Sequence, residues 1–394
     1  MARKIVVNLI AALTGAMALG AAATSSEPPH NDPLYMRLIA TPRPGEAAVL
    51  DGGGRKYSAF EVHLTNFGQT SIRLTQVEVT ATNGAQRLFT EVGTGRRLNA
   101  TYAAVASDYT KPQEPVLKPG QAGILFLFPD FAPERGIPDT FATAISVKGE
   151  GLRGSSGTIE VAPIPVSNGA PMIIQSPLRG DRWIAMNGPS NASPHRRAIL
   201  PVDGKAMIGQ RYAIDWVQVG DDGHTYTGDK SDNRSYRCYN QPIHAAADGK
   251  IMEVKDGVAE NIPNSGKIAV EMRWDTIAGN HIIEDFGNGR YAAYAHLRPG
   301  SITVKVGDSV HAGDVIAHLG NTGNSSEPHL HFQICTLPSF IKSEGLPFAI
   351  DRFTRVDYKT ERLGGGKEKL VIGTTHEVTK EEPLENELDN FAAP

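Results

Sequence analysis

The chain is poor in the features that would mark several common function classes. Its basic residues form no stripe or patch of the kind that tracks a nucleic-acid backbone; 39 Lys and Arg stand against 43 Asp and Glu, a formal charge of −4, with both signs scattered. Nucleic acid is therefore excluded as a partner. Only one apolar run, at the N-terminus, is long enough to span a bilayer, which excludes a multi-span membrane protein. Cysteine is almost absent. With only Cys238 and Cys335, a four-cysteine zinc site is impossible, and any metal must be held by His and carboxylate.

What the chain does have is length and turn formers. At 394 residues it is long enough for two or three domains, and its 41 glycines and 26 prolines favour turn-rich β architecture. Arg3 and Lys4 precede an apolar run from Ile5 to Ala23, closed by Ala21-Ala22-Ala23 and then polar Thr24-Ser25-Ser26-Glu27. That is the pattern of a secretory signal peptide over residues 1–23, with an uncleaved anchor as the alternative. Export to the periplasm or beyond follows, with no stable span after cleavage. In an oxidising compartment Cys238 and Cys335 are a candidate disulfide, two buried thiols being the alternative.

From 35 to 165 the pattern is that of strands. Phe60-Glu-Val-His-Leu and Ile72-Arg-Leu-Thr-Gln-Val-Glu-Val alternate apolar and polar, with turn signals at Asn66-Phe-Gly and Asn83-Gly. An antiparallel β-sandwich, immunoglobulin-like, is expected. The Pro- and Gly-rich connection near 162–171 predicts that it separates from a second β domain at 172–350. Residues 351–394 end in Lys380-Glu-Glu-Pro-Leu-Glu-Asn-Glu-Leu-Asp and read as an acidic, mobile tail.

The second domain carries the chemistry, for nine of the 12 histidines fall between His195 and His331. His329-Leu-His331 sits in a strand-like run, and positions i and i+2 of a strand share a face. His296 closes a second such run, and Gly320-Asn-Thr-Gly-Asn-Ser-Ser-Glu-Pro is a loop able to bring backbone close to a ligand. Together, Pro242-Ile-His-Ala-Ala-Ala-Asp-Gly, Gly279-Asn-His-Ile-Ile, Tyr294-Ala-His-Leu, Val306-Gly-Asp-Ser-Val and Gly320 through Phe332 resemble the lysostaphin/LytM-type (M23) zinc metallopeptidases.

The resemblance, ordered over roughly 207–335, implies an all-β chain: the sandwich followed by a lysostaphin/LytM-like antiparallel sheet with a groove across it. It implies Zn²⁺ as cofactor, Asp215 and His331 as ligands, His296 and His329 as catalytic imidazoles, and peptidoglycan or a short peptide as substrate. His244-Ala-Ala-Ala-Asp248 looks like a ligand pair but aligns with a turn that follows the family's ligand segment. One departure bears on function. Where the family has the first histidine of His-x-Gly-x-Asp, this chain has Arg211-Tyr-Ala-Ile-Asp215, and a guanidinium offers no lone pair to a metal. If the family's bend is kept, Arg211 points into the groove and pairs with Asp215. His195 and His224 are the candidates for the third ligand. Two functions stay open: an exported zinc endopeptidase, or a catalytically silent groove that binds a wall peptide or a protein.

Overall fold

In a computed structural model, residues 37–392 are described apart from 106, 110, 151–155 and 364–366; residues 1–23, expected to be a signal peptide, lie outside the described residues. The architecture is all-β and mostly antiparallel, as expected.

The N-terminal unit is a sandwich. One sheet orders Leu38–Arg43, Phe60–Asn66, Ala122–Leu127 and Tyr102–Ala104; the other orders Ser156–Pro165, Thr140–Gly149, Ile72–Asn83 and Gln86–Gly93. Phe60, Val62, Leu64 and Leu125 meet Val77, Val79, Phe141 and Ile145 in a shared core. Along Ile72–Asn83 the inward phase changes between Leu74 and Val77. A register shift there, opposite Ser146 and Val147, leaves Thr75 unpaired in the ladder, a bulge that lets both apolar runs face the core.

The second unit is built on an 11-stranded sheet. Its centre is Leu330–Cys335, flanked by Tyr291–Leu297 on one side and Ile214–Gln218 on the other. Every residue of the central strand is buried. Leu330, Phe332 and Ile334 enter the main apolar core, so by strand alternation His331 and Gln333 face the opposite side.

Three expectations are corrected by the packing. Residues 353–391 are not a mobile tail. Phe353–Leu363, Lys367–Val378 and Leu388–Phe391 are strands, and Leu388–Phe391 pairs with Gly180–Met186 to extend the main sheet. Several of its acidic residues find partners: Arg355 pairs with Glu381 at 2.7 Å and Glu387 at 2.8 Å, and the Tyr57 hydroxyl of the sandwich donates to Glu382. Phe391 packs edge-on against Trp216, ring centroids 5.2 Å apart.

Nor are the two domains loosely linked. Glu61 of the sandwich, 0% exposed, accepts from Arg196 at 3.3 Å and Arg211 at 2.9 Å of the second unit. Leu50, Tyr57 and Ala59 share an apolar cluster with Tyr212 and Leu384, and Ile124 and Phe126 share another with Ile208. The 162–171 connection is itself tied down by Ser167 N–H to Ala47 carbonyl, 2.8 Å. Finally, the two cysteines do not pair. Both are buried free thiols; Cys238 donates to the Pro328 carbonyl at 3.0 Å, and burial pushes its thiol up to about 12.

Replacing Phe391 by Ala should cost about 3–5 kcal/mol, the usual range for a buried Phe. Denaturant unfolding of the full chain measures it; a change below about 0.5 kcal/mol, typical of a surface site, would show that the C-terminal strand contributes no core.

Candidate metal centre

Strand pairing builds the middle of the site. Asp215 lies directly across from His331, and His331 directly across from Ala295. Two aligned ladders thus put Asp215 and His331 side by side on the face away from the main core. His296 follows Ala295, and plain alternation would send it to the opposite face. Two features redirect it. The register slips between Asn280 and Ile282, so that Ala295 and His296 oppose one residue, and His296 itself has φ +64°. A bulge with a left-handed non-glycine residue re-aims a side chain. Its ring comes to 4.7 Å from that of His329 and 5.9 Å from that of His331, centroid to centroid.

His195 arrives from outside the sheet, on the short helical turn Pro194–Arg197. Its Nε2 lies 3.1 Å from Asp215 Oδ2, and its ring stands 4.7 Å from that of His331. One ligand atom each from His195, Asp215 and His331 lies within 4.8 Å of the others, all three residues buried. This is the sole such group among the described residues. The three line a groove of about 560 Å³ together with His296, His329 and the apolar wall of Ile262, Ile268 and Phe340.

Hydrogen bonds assign the ring nitrogens. His331 Nε2 faces Gln333 Oε1 at 2.9 Å, and the Gln333 amide is fixed in that sense by donating to the Phe340 carbonyl at 3.1 Å. So Nε2 carries the proton, and the Nδ1 lone pair faces Asp215 Oδ1 at 2.9 Å. His195 Nδ1 faces the Ala213 carbonyl at 3.3 Å, which frees Nε2. His296 Nδ1 donates to the Thr322 carbonyl at 2.7 Å and His329 Nδ1 to the Glu327 carbonyl at 2.8 Å, which turns each Nε2 toward the group, that of His329 to 3.5 Å from Asp215 Oδ1. The glycine-rich loop thus serves the site by its carbonyls. It reaches them through a close crossing of Gly279 and Gly323, both at positive φ, where a Cβ on Gly323 would stand 2.3 Å from Gly279 N.

Two imidazole lone pairs and a carboxylate converging without a proton of their own between them form a donor set suited to Zn²⁺, with each ring oriented by its other nitrogen. Electrostatics agree with a site short of positive charge. Burial alone would raise the Asp215 carboxyl, yet His195 and His329 hold it well below the ordinary carboxylate range. Burial lowers His296 well below an ordinary histidine, reinforced by His329 and His331. His195 and His329 are raised, Asp215 overcoming their burial.

Arg211 is not in this group. Instead of pairing with Asp215 it turns away, to Glu61 (2.9 Å) and Glu344 (2.9 Å). Two carboxylates, one of them fully buried, outcompete a single Asp already facing three imidazoles and the Asn187 amide, 2.8 Å away. Burial opposes its charge, but Glu61 and Glu344 raise its pKa above the usual guanidinium value. His224 stacks on Tyr226, centroids 5.8 Å apart, and takes no part in the group. His244 bonds the Gly313 carbonyl and Asp248 caps the Ala312 N–H, as turn residues do. Sequence reasoning missed Gln333 and Asn187. Gln333 was legible as i+2 from His331 on the same face; Asn187, in a left-handed turn position (φ +52°), left only the Asn-Gly signal of Asn187-Gly188.

Residues 236–342 match Peptidase family M23. The chain is 37% identical over 98 residues to the glycyl-glycine endopeptidase ALE-1 of Staphylococcus capitis, covering 24% of this chain and 21% of that protein. It is 37% identical over 67 residues to the peptidoglycan DD-endopeptidase ShyA of Vibrio cholerae, 17% of this chain and 15% of that one. These matches thus span about a fifth or less of the relatives' length. The solved catalytic domain of lysostaphin from Staphylococcus simulans aligns with 42% of this chain and 88% of that one at 23% identity, with a TM-score of 0.24, too low to carry weight beside the strand order itself.

Gln333→Leu should weaken zinc binding by about 10–100-fold, the usual effect of losing a ligand's orienting partner. Arg211→His and His224→Ala should leave zinc affinity within about threefold, roughly 0.7 kcal/mol. Competition titration with a chromophoric chelator reads all three; a gain of tenfold or more in Arg211→His would mean that position 211 does reach the metal.

Proposed function

Because the chain carries a Peptidase family M23 domain over residues 236–342, we propose that it is an exported, zinc-dependent endopeptidase acting on peptide bonds of peptidoglycan or short peptides. The observation that carries this reading is the convergence of His195, Asp215 and His331 beside two further imidazoles, His296 and His329, each held through Nδ1. The alternative, a silent binding groove, drew its support from Arg211 standing at the family's histidine position. The His195 Nε2, 3.1 Å from Asp215 Oδ2, supports the enzyme reading over it.

In this reading His195 Nε2, an Asp215 oxygen and His331 Nδ1 hold Zn²⁺. The ion would supply a Lewis acid and a bound water acidic enough to be a nucleophile near neutral pH. The chain's own residues do the rest. His296 and His329 are pinned through Nδ1 to backbone carbonyls, so their Nε2 atoms point into the groove in fixed positions. One takes the proton of the attacking water and the other donates to the carbonyl oxygen or to the leaving amine, the work of positioned general acids and bases. The low proton affinity that burial gives His296 suits a group that stays neutral until the reaction charges it. Asn187 and Gln333 orient Asp215 and His331.

The groove has room for a peptide beside the metal group. Ile262, Ile268, Ile277 and Phe340 line it, and apolar walls exclude water from the scissile bond without demanding a charged partner. The names of the relatives, a glycyl-glycine endopeptidase and a peptidoglycan DD-endopeptidase, point to cell-wall peptides. Export through residues 1–23 would bring the protein to that substrate; among the described residues no helix is long and apolar enough to cross a membrane.

His296→Ala and His329→Ala should each lower turnover of cross-linked muropeptides by about 10²–10⁴ while retaining zinc, whereas His331→Ala should lose the metal. Chromatography of digested peptidoglycan and metal analysis of the purified variants decide it. Absence of cleavage by the zinc-loaded parent on both peptidoglycan and pentaglycine peptides would end the enzyme reading.

A further inference from the structure

The turn that presents His195 is held from both units. It is four residues long, Pro194–Arg197, too short to be stable as an isolated helix. Within its own domain the His195 ring meets Asp215, the His331 ring edge-on at 4.7 Å and, through Nδ1, the Ala213 carbonyl at 3.3 Å. The next two residues point the other way, into the sandwich. Arg196, 0% exposed, donates to Glu61, to the Phe60 carbonyl at 2.8 Å and to the Leu127 carbonyl. Arg197 donates to the carbonyls of Ala100 and Tyr109 and lies 4.8 Å over the Phe126 ring. Phe60, Glu61, Ala100, Tyr109, Phe126 and Leu127 all belong to the N-terminal unit.

We propose that the sandwich is part of the metal centre: by gripping Arg196 and Arg197 it sets the position of His195, so that residues far outside the peptidase segment determine metal affinity. The proposal rests on His195 being the third ligand. Its physical basis is stiffness. A displaced turn would leave buried guanidiniums and backbone carbonyls unpaired, at a cost well above that of an exposed loop movement. A metal ligand must be held within about 0.5 Å of its working position; the second unit contributes Ser193 on the Asn187 carbonyl at 2.6 Å and Asn191 on Arg196 and Arg197 at 2.7 and 2.9 Å, and the sandwich takes every other bond of the two guanidiniums. Arg211 shares Glu61 but lies on a different segment, and so offers an internal control. Arg196 and Arg197 are positioning residues, not catalytic ones.

The test uses the full chain, with zinc affinity by chelator competition and the visible spectrum of the cobalt(II)-substituted protein as readouts. Arg196→Met should weaken zinc binding at least tenfold and move the cobalt bands toward those of His195→Ala. Arg211→Met, which opens the same buried cluster from the other side, should keep zinc affinity within threefold and the parent spectrum. A folded Arg196→Met protein with parent affinity and parent spectrum overturns the proposal. Equal weakening in Arg211→Met overturns it as well, since general loosening of the interface would then account for the effect. Should Arg196→Met not accumulate as folded protein, Arg197→Met removes the second grip on the same turn and is read by the same criteria. If His195→Ala itself keeps parent zinc affinity, it is the ligand assignment that fails, and the two failures are told apart.

Discussion

One buried carboxylate organises the centre of this molecule. Asp215 is 8% exposed, and a carboxylate so placed is costly unless every oxygen finds a partner. Oδ1 faces His331 at 2.9 Å and His329 at 3.5 Å; Oδ2 faces His195 at 3.1 Å and Asn187 at 2.8 Å. These four partners come from four places in the chain: a central strand, the loop before it, a helical turn and a tight turn. Four segments thus converge on one charge; Asn187 donates to it, while His195 and His331 face it with lone pairs and leave an electrostatic need between them. A cation among them would answer the same electrostatic need.

A second buried carboxylate, Glu61, plays the corresponding part between domains. Two guanidiniums, Arg196 and Arg211, share it away from water. Such clusters need not add net stability compared with an apolar contact, yet losing one partner is strongly destabilising. The arrangement thus admits one way of docking the sandwich. Around it the apolar clusters of Tyr57 with Tyr212 and of Phe126 with Ile208 supply the non-directional part of the contact. The C-terminal strands complete the enclosure, Glu382 meeting Tyr57 and Phe391 covering Trp216.

Irregular backbone is concentrated where side chains must leave the regular pattern. His296 is left-handed at a bulge, and Gly279 and Gly323 cross closely beside it. Regular strands could bring only Asp215 and His331 to one face in register. The departures add His296 and carry the carbonyls of Thr322 and Glu327 to the two rings that must keep a free nitrogen. Strain of this kind persists because the surrounding sheet is rigid.

Much of this was legible in the chain itself. Alternation in Ile72–Asn83 and the apolar run around Phe332 report local burial, and local burial sets strand character. The His329-x-His331 spacing puts two imidazoles on one face by the two-residue period alone, and the ordered motifs from Pro242 to Phe332 carry the family. The inability of Arg211 to bind a metal also followed from its chemistry. What the chain could not disclose was the partner of each charge. Arg211 turns to Glu61, 150 residues away, and His195 meets Asp215 because a turn folds back across the groove. The acidic C-terminal stretch read as solvated because its partners, Arg355 for Glu381 and Glu387 and Tyr57 for Glu382, lie on other strands. Periodicity and residue chemistry are local and survive in one dimension; the pairing of buried charges depends on which segments the completed fold places against each other, and only the tertiary structure decided that.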